Sequence, residues 1–141
     1  MSRPMIMSLE SFMQQALSHQ PIKGRLLVAY SGGLDSTVLL YLMAQAKREL
    51  KLSASIIAVH VNHQLSVDAN RWERHCESVC GRLQIDYRSA RVDINKNGKG
   101  LEAAAREARY KVFEAFIEPK DILLMAHHRN DQAETFLLRL M

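Results

Sequence analysis

The sequence predicts an α/β fold built on a mostly parallel sheet with helices on both faces. Along its 141 residues, short apolar runs alternate with longer segments of helical periodicity. This alternation is typical of right-handed strand–helix–strand units. Polar clusters follow three of the predicted strands, at the edge of the sheet where such folds bind their ligands: residues 31–37, 60–64 and 127–134.

In the N-terminal half, local patterns predict two helices and two strands. Apolar residues recur at helical spacing over 9–17, after Ser8 as a favourable N-cap. The apolar run 25–30 is short enough for a buried strand, whereas the second run, 36–50, has the length of a helix. β-Branched residues dominate 54–61 and predict the second strand.

In the C-terminal half, helices and strands continue to alternate. Apolar positions over 68–83 share one helical face with Trp72, Cys76 and Cys80, so both thiols are expected in the core and not at a metal site. Residues 87–92 predict a third strand. The Ala-rich segment 101–117, with charge pairs at i,i+4, predicts a helix. A fourth buried strand is expected at 121–126, and a helix from Asp131 onward.

Composition excludes several classes of protein. Hydrophobic residues are 48% and charged residues 24%, which are ordinary values for a soluble domain. The net charge of +4 favours a polyanionic partner only mildly. Two cysteines do not make a disulfide framework, and no segment is apolar enough to span a bilayer. We therefore expect a cytoplasmic protein with no membrane partner.

The hexapeptide SGGLDS, residues 31–36, follows the first core strand and opens a helix. Its glycines allow backbone N–H groups to approach a ligand, its hydroxyls add donors, and the helix N-terminus favours an anion. It matches neither G-x-x-x-x-G-K-[ST] nor G-x-G-x-x-G and has no lysine to hold phosphates. A compact oxyanion such as pyrophosphate fits this pattern, with Mg²⁺ on Asp35 supplying positive charge.

The hexapeptide resembles the pyrophosphate-binding loop of the N-type ATP pyrophosphatase superfamily. This resemblance implies an adenine-nucleotide alpha hydrolase-like, Rossmann-like fold and cleavage of ATP between its α- and β-phosphates. An adenylylated substrate is the expected product, with Mg²⁺ as the metal. Asp35 is the implied catalytic and metal-binding residue, and the ATP-binding residues implied by the resemblance are Ser31, Gly32, Gly33, Leu34, Asp35 and Ser36.

Three further stretches resemble the tRNA(Ile)-lysidine synthetase branch of that superfamily. They are HVNHQLS at 60–66, GLEAAAREARY at 100–110 and AHHRNDQAETFLLRL at 126–140. The resemblance implies a ligase that joins L-lysine to C2 of the wobble cytidine in tRNA(Ile) with a CAU anticodon, releasing AMP and pyrophosphate. Guanidinium and carboxylate groups suit such an amino acid. The expected lysine-binding residues are Arg106, Arg109, Asp131 and Glu134, of which the last two are also expected to be catalytic as neighbours on one helical face.

The resemblance also implies that residues 1–141 form a single N-terminal ATP pyrophosphatase domain of a longer protein with separate tRNA-binding domains. The chain alone is then expected to be inactive on tRNA, its strand 121–126 to lack a neighbour at one edge, and a homodimer is one candidate assembly. Two alternatives remain open. One is another adenylylating enzyme of this type, such as a tRNA thiolase, and the other is a non-catalytic ATP-binding module. Separately, Arg106 and Arg109 could have no role in binding and simply lie on the solvated face of their helix.

Overall fold

Strands and helices alternate along the chain, as the sequence predicts. The computed structural model describes residues 4–8, 23–94, 98, 100–129 and 132–140, with side chains over 23–94, 98 and 100–126. In chain order its elements are β1 (Pro4–Ser8), β2 (Leu26–Ala29), α1 (Leu34–Glu49), β3 (Ile56–Asn62), α2 (Ala69–Leu83), β4 (Asp86–Arg91), α3 (Leu101–Phe116), β5 (Ile122–Arg129) and β6 (Gln132–Leu140).

The six strands form one sheet in the order β1-β6-β5-β2-β3-β4. Strands β5, β2, β3 and β4 are mutually parallel, whereas β6 and β1 run antiparallel to their neighbours. From β2 the chain passes to β3 on one side, and from β4 it returns to β5 on the other side. The loop after β2 therefore lies where the strand order reverses, the usual position of a ligand site in such sheets.

The alternation of side chains along β2 divides the core between the two faces of the sheet. Leu26 and Val28 pack in one apolar cluster with residues of α1 and α2, while Leu27 packs in a second cluster with Phe113 of α3. Helices thus cover both faces, and the predicted fold class is confirmed. Among the described residues, no helix combines the length and apolar character needed to cross a membrane.

Both cysteines lie in the core, as expected. Cys76 and Cys80 are fully buried and unbonded to each other. Burial raises the pKa of Cys76 to about 11 and that of Cys80 to about 12. Neither thiol is therefore a nucleophile at neutral pH.

Strand β6 corrects the helix predicted from Asp131 onward. Residues 132–140 pair with β5 along its whole length, from Ile122 opposite Arg139 to Arg129 opposite Gln132. A bare β5 edge would leave a row of backbone N–H and C=O groups without partners, so sheet pairing outweighs local helix preference. The prediction that strand 121–126 lacks a neighbour is wrong for the same reason. Asp131 itself lies outside the described residues.

Strand β1 was not predicted. It pairs with β6 from Pro4 opposite Leu140 to Ser8 opposite Phe136. Five residues with no clear alternation carry little strand signal of their own, so the pairing partner decides their conformation. The helix predicted over 9–17 lies outside the described residues.

A buried ion pair joins the N-terminal ends of β2 and β5. Asp121 is 2% exposed and accepts hydrogen bonds from the Arg25 backbone N–H at 2.8 Å and the Arg25 guanidinium at 2.6 Å. The Glu118 N–H donates to the same carboxylate at 2.8 Å. Burial alone would raise the pKa of Asp121, but these hydrogen bonds outweigh it and hold the pKa below its ordinary value. The pair therefore stabilises the folded state only while Asp121 is ionised.

We expect Asp121→Asn to lower the free energy of unfolding by about 2–3 kcal/mol, because Arg25 keeps a partly buried charge without its counter-ion. The matched control is Glu118→Gln, whose exposed carboxylate lies 3.9 Å from Arg25 and should contribute less than about 0.5 kcal/mol. Urea unfolding measures both changes.

The effect of Asp121→Asn should depend on pH with a defined sign. The folded-state pKa of Asp121 lies below its unfolded value, so its contribution is complete above the unfolded pKa and is lost as pH falls through the folded pKa. The difference in unfolding free energy between the wild-type protein and the Asn variant should therefore shrink in acid. A difference that stays constant down to pH 2 would contradict the assignment.

Candidate functional site

A cavity of about 810 Å³ opens at the carboxyl ends of β2, β3 and β5. Two of the three polar clusters predicted to meet at this edge contribute to its wall. The third, residues 127–134, includes residues outside the described part of the chain, and its side chains are not described. The wall is lined by Ala29, Tyr30, Ser31, Ser36, Val59, His60, Val61, Asn62, His63, Gln64, Leu65, Ser66, Asp68, Ala69, Arg71, Trp72, His75, Arg109, Phe113, Met125 and Ala126.

The loop between β2 and α1 is organised around the hydroxyl of Ser36. The backbone N–H groups of Ser31 and Gly32 both donate to this oxygen at 3.2 Å. The Ser31 hydroxyl lies 3.0 Å from it and in turn accepts the Gly33 N–H at 3.2 Å. Ser36 is 6% exposed, so these short-range contacts hold the loop in a compact, closed turn.

The N-terminus of α1 faces this loop. Gly33 is the N-cap residue, and no side chain in the described part of the chain caps the helix. The first N–H groups of a helix have no partner within the helix, so an uncapped end favours an anion. The Thr37 hydroxyl donates to the Gly33 carbonyl at 2.7 Å, which fixes the first turn. Asp35 lies half-buried in that turn and brings the only carboxylate of the loop.

Helix α2 closes the back of the loop at Gly32. Gly32 has φ +87°, a conformation that favours glycine, and an added Cβ would come within 2.7 Å of Cys76 Sγ and of Trp72 Nε1. The Trp72 indole N–H donates to the Ser31 carbonyl at 2.8 Å. The ring of Trp72 also stacks on His75, with centroids 5.2 Å apart.

Trp72 is a site residue for which the sequence predicted a place in the core instead. Its helical spacing from Cys76 suggested a place in the core, yet 44% of Trp72 is exposed and the residue lines the cavity. A signal was available, because a tryptophan needs a partner for its N–H when one side of the ring is packed. That partner is in the loop, 41 residues away in sequence.

A buried polar network fixes α2 against the end of β3. Asn62 is 2% exposed, accepts the Gln64 N–H at 2.8 Å, and donates to Asn70 at 3.0 Å and to Glu73 at 3.2 Å. Glu73 also accepts a hydrogen bond from Arg91 of β4 at 3.3 Å. Burial would raise the pKa of Glu73, but the hydrogen bonds from Arg91 and Asn62 hold it below its ordinary value. Glu73 is therefore ionised at neutral pH.

Two histidines of the second cluster line the cavity. His60 is 4% exposed, and its Nδ1 lies 3.0 Å from the Tyr30 carbonyl. Since a carbonyl only accepts, Nδ1 carries the hydrogen, and in the neutral ring Nε2 is left as an acceptor. Burial, together with the positive charge of Arg109, lowers the pKa of His63. His63 is therefore neutral at pH 7.

The structure separates the two arginines of α3. Arg109 lines the cavity, and burial lowers its pKa from the ordinary arginine value without removing its charge. Arg106 is exposed and lies over the Tyr110 ring, 5.6 Å from its centroid. Arg109, not Arg106, belongs to the described cavity wall.

Glu134, one of the two carboxylates predicted to share a helical face, lies on a strand and not on a helix. Asp131 is outside the described residues, and Glu134 is in β6. The register of that strand puts Glu134 opposite His127, near the carboxyl end of β5. Glu134 thus stays at the carboxyl edge of the sheet, although the helix predicted for it is wrong.

Comparison with known families shows the family to which this chain belongs. A family described as "PP-loop domain" matches residues 4–141. The chain belongs to this family. The predicted resemblance to the ATP pyrophosphatases is thereby confirmed. We call the SGGLDS loop, residues 31–36, the PP-loop.

Three similar proteins carry the same name. The chain is 44% identical over 116 residues to "tRNA(Ile)-lysidine synthase" of Photorhabdus laumondii, which is 82% of this chain and 26% of that protein. It is 43% identical over 134 residues to the Histophilus somni protein of the same name, which is 95% of this chain and 31% of that protein. It is 48% identical over 116 residues to the Salmonella dublin protein of that name, which is 82% of this chain and 27% of that protein. The chain therefore spans roughly a quarter to a third of the length of these relatives.

A solved structure supports the fold. The "U34-tRNA thiolase NcsA from Methanococcus maripaludis with its [4Fe-4S] cluster" matches with a TM-score of 0.63 over 86% of this chain and 47% of that protein. Sequence identity is 16%, so this likeness concerns the fold alone.

The PP-loop offers a matched pair of substitutions. Gly32→Ala should lower the free energy of unfolding by about 2–4 kcal/mol, because it combines a strained φ with overlap on α2. At Gly33 the nearest atom to an added Cβ is Ser31 Oγ at 3.4 Å, so Gly33→Ala should cost about 1 kcal/mol or less. Thermal and urea unfolding compare the two variants. Equal destabilisation would show that α2 does not constrain Gly32.

Proposed function

We propose that this chain is the N-terminal ATP pyrophosphatase domain, residues 1–141, of a tRNA(Ile)-lysidine synthase-type ligase. The enzyme joins L-lysine to C2 of the wobble cytidine in tRNA(Ile) with a CAU anticodon, at the cost of ATP. The observation that carries the proposal is the PP-loop at the switch point of the sheet, together with relatives named tRNA(Ile)-lysidine synthase. Cytoplasmic location and a homodimer remain predictions.

The loop suits a pyrophosphate that leaves from ATP. The Ser31 and Ser36 hydroxyls and an uncapped helix N-terminus converge there, and such groups bind an anion without transferring a proton. The Ser31 and Gly32 N–H groups lie beside them and donate to the Ser36 hydroxyl in this structure. The proposed binding residues are the six of the hexapeptide, as the resemblance implies. Asp35 would hold Mg²⁺, which would neutralise developing charge on the phosphates.

The proposed reaction has two steps. The C2 oxygen of the cytidine attacks the α-phosphorus of ATP, so that an O–P bond forms and pyrophosphate leaves. The neutral amine of lysine then attacks C2, a C–N bond forms, and the C2 oxygen departs with AMP. The amine must lose a proton, for which Asp131 or Glu134 is the proposed acceptor, the other holding the distant ammonium. The position of Arg109 on the cavity wall supports it, over Arg106, as the cation for the lysine carboxylate.

The alternatives receive less support. A tRNA-thiolating enzyme of this fold would need reactive sulfur, yet burial raises the pKa of Cys76 to about 11 and that of Cys80 to about 12. A non-catalytic ATP-binding module would need neither Asp131 nor Glu134. Product analysis separates all three functions.

The products should be AMP and pyrophosphate. The test uses a chimera in which residues 1–141 replace the matching segment of the Histophilus somni relative, supplied with ATP, Mg²⁺, lysine and tRNA(Ile). Asp35→Ala should reduce turnover by about 100-fold or more, since the metal would lose its protein ligand. The control is Asp86→Ala, an exposed carboxylate at the opposite edge of the sheet. Formation of ADP and phosphate as primary products would contradict the proposal.

Glu134→Gln should impair lysine transfer more than pyrophosphate release. Loss of a general base costs on the order of 100-fold, whereas adenylylation of the cytidine does not need this carboxylate. Labelled lysine incorporated into tRNA and pyrophosphate released are measured in the same chimera, with Glu114→Gln on the exposed part of α3 as control. Equal loss of both steps would assign Glu134 to nucleotide or metal binding instead.

A further inference from the structure

Burial does not explain the position of Trp72. This residue, the one tryptophan of the chain, keeps 44% of its surface exposed. Two directional contacts hold it instead, the stack on His75 at 5.2 Å and the hydrogen bond from its indole N–H to the Ser31 carbonyl at 2.8 Å. The second contact reaches directly into the PP-loop.

The hydrogen bond to Ser31 also fixes the direction of the next N–H. The Ser31 carbonyl and the Gly32 N–H belong to one trans peptide bond and therefore point in opposite directions. A donor that holds the carbonyl toward α2 keeps the N–H pointing away from α2. There the Gly32 N–H meets the Ser36 hydroxyl at 3.2 Å.

We propose that Trp72 is a positioning residue for phosphate binding by the PP-loop. It orients the Ser31–Gly32 peptide so that the Gly32 N–H keeps its hydrogen bond to the Ser36 hydroxyl, and this holds Ser36 in its place on the cavity wall. Without the indole donor, this peptide can rotate, because glycine tolerates many backbone conformations. A rotated peptide loses the hydrogen bond from the Gly32 N–H to Ser36, so the Ser36 hydroxyl is no longer fixed for anion binding. The proposal rests on the proposed function, in which this loop binds pyrophosphate.

The residues around Trp72 make it a rigid donor. Asn62 ties the first turns of α2 to β3 through Asn70 and Glu73, and Cys76 is fully buried one helical turn further along. The indole therefore sits on a fixed element, as a group that positions a loop must. An exposed tryptophan on a mobile segment would not hold a peptide in one orientation.

Trp72→Phe tests the proposal, because phenylalanine keeps an aromatic ring and removes the N–H. Calorimetric titration of the full chain with Mg²⁺ and inorganic pyrophosphate should show about five- to tenfold weaker binding for the variant, the worth of one hydrogen bond. In the unliganded variant the Gly32 amide resonance should shift while that of Gly81 should not. Circular dichroism should report the same helix content for both proteins.

Tyr87→Phe is the matched control, since the Tyr87 hydroxyl donates to a carbonyl outside the loop, that of Glu73 in α2, at 3.1 Å. Its pyrophosphate affinity should equal that of the wild-type protein. Unchanged affinity in Trp72→Phe, or equal losses in both variants, would overturn the positioning role while leaving pyrophosphate binding intact. A wild-type chain that binds no pyrophosphate would overturn the proposed function and this role together.

The wild-type protein offers a measurement that does not depend on a variant. Because Trp72 is the single tryptophan, the tryptophan fluorescence of the chain arises at the PP-loop alone. Pyrophosphate with Mg²⁺ should change this emission with the same midpoint as the calorimetric titration. Emission that stays constant at saturating pyrophosphate would overturn the positioning role.

Discussion

The close approach of α2 to Gly32 is the constraint on which the candidate site depends. At this point the backbone of the loop lies against Cys76 and Trp72 with no room for a side chain. The other contacts of the loop, among Ser31, Gly33 and Ser36, span five residues or fewer and can form within the loop itself. The hydrogen bond from Trp72 of α2, in contrast, links the loop to a distant part of the chain. The packing of α2 therefore decides where the loop sits relative to the rest of the cavity.

The two ends of β2 serve different purposes. At its N-terminal end, the pair Arg25–Asp121 ties β2 to β5 through a buried carboxylate whose hydrogen bonds are satisfied. At its C-terminal end, β2 leads directly into the PP-loop, and β3 and β5 are the neighbours of β2 in the sheet. Rigid support at one end and polar groups at the other are what a site on a parallel sheet needs, because the strand fixes where the loop begins.

The sequence predicted the features that depend on local pattern. The parallel strands, α1 to α3 and the PP-loop each follow from apolar periodicity or from one hexapeptide, and the structure agrees within a few residues. The failures involve partners distant in the chain. Trp72 looked like a core residue because its hydrogen-bond acceptor is 41 residues away. Strand β6 looked like a helix because its partner β5, not its own composition, selects its conformation.

The distinction between Arg106 and Arg109 shows the same limit of local pattern. Residues three apart lie on neighbouring positions of a helix, so spacing alone assigns both to one face. The rotation of α3 against the sheet, set by Phe113 in the second core cluster, decides which of them reaches the cavity. Arg109 lines it, whereas Arg106 lies over the Tyr110 ring.

The negative charge of the PP-loop limits how it can bind the pyrophosphate of the proposed reaction. Between Ser31 and Thr37 the only charged residue is Asp35, so the loop carries a formal negative charge and opposes the phosphates. Its backbone and hydroxyl donors offset this only in part, because they carry partial charges. Arg71 and Arg109 of the cavity wall bring positive charge to the same site. In the proposed function, a divalent cation on Asp35 would supply the rest and would stabilise the charge that develops on the departing pyrophosphate.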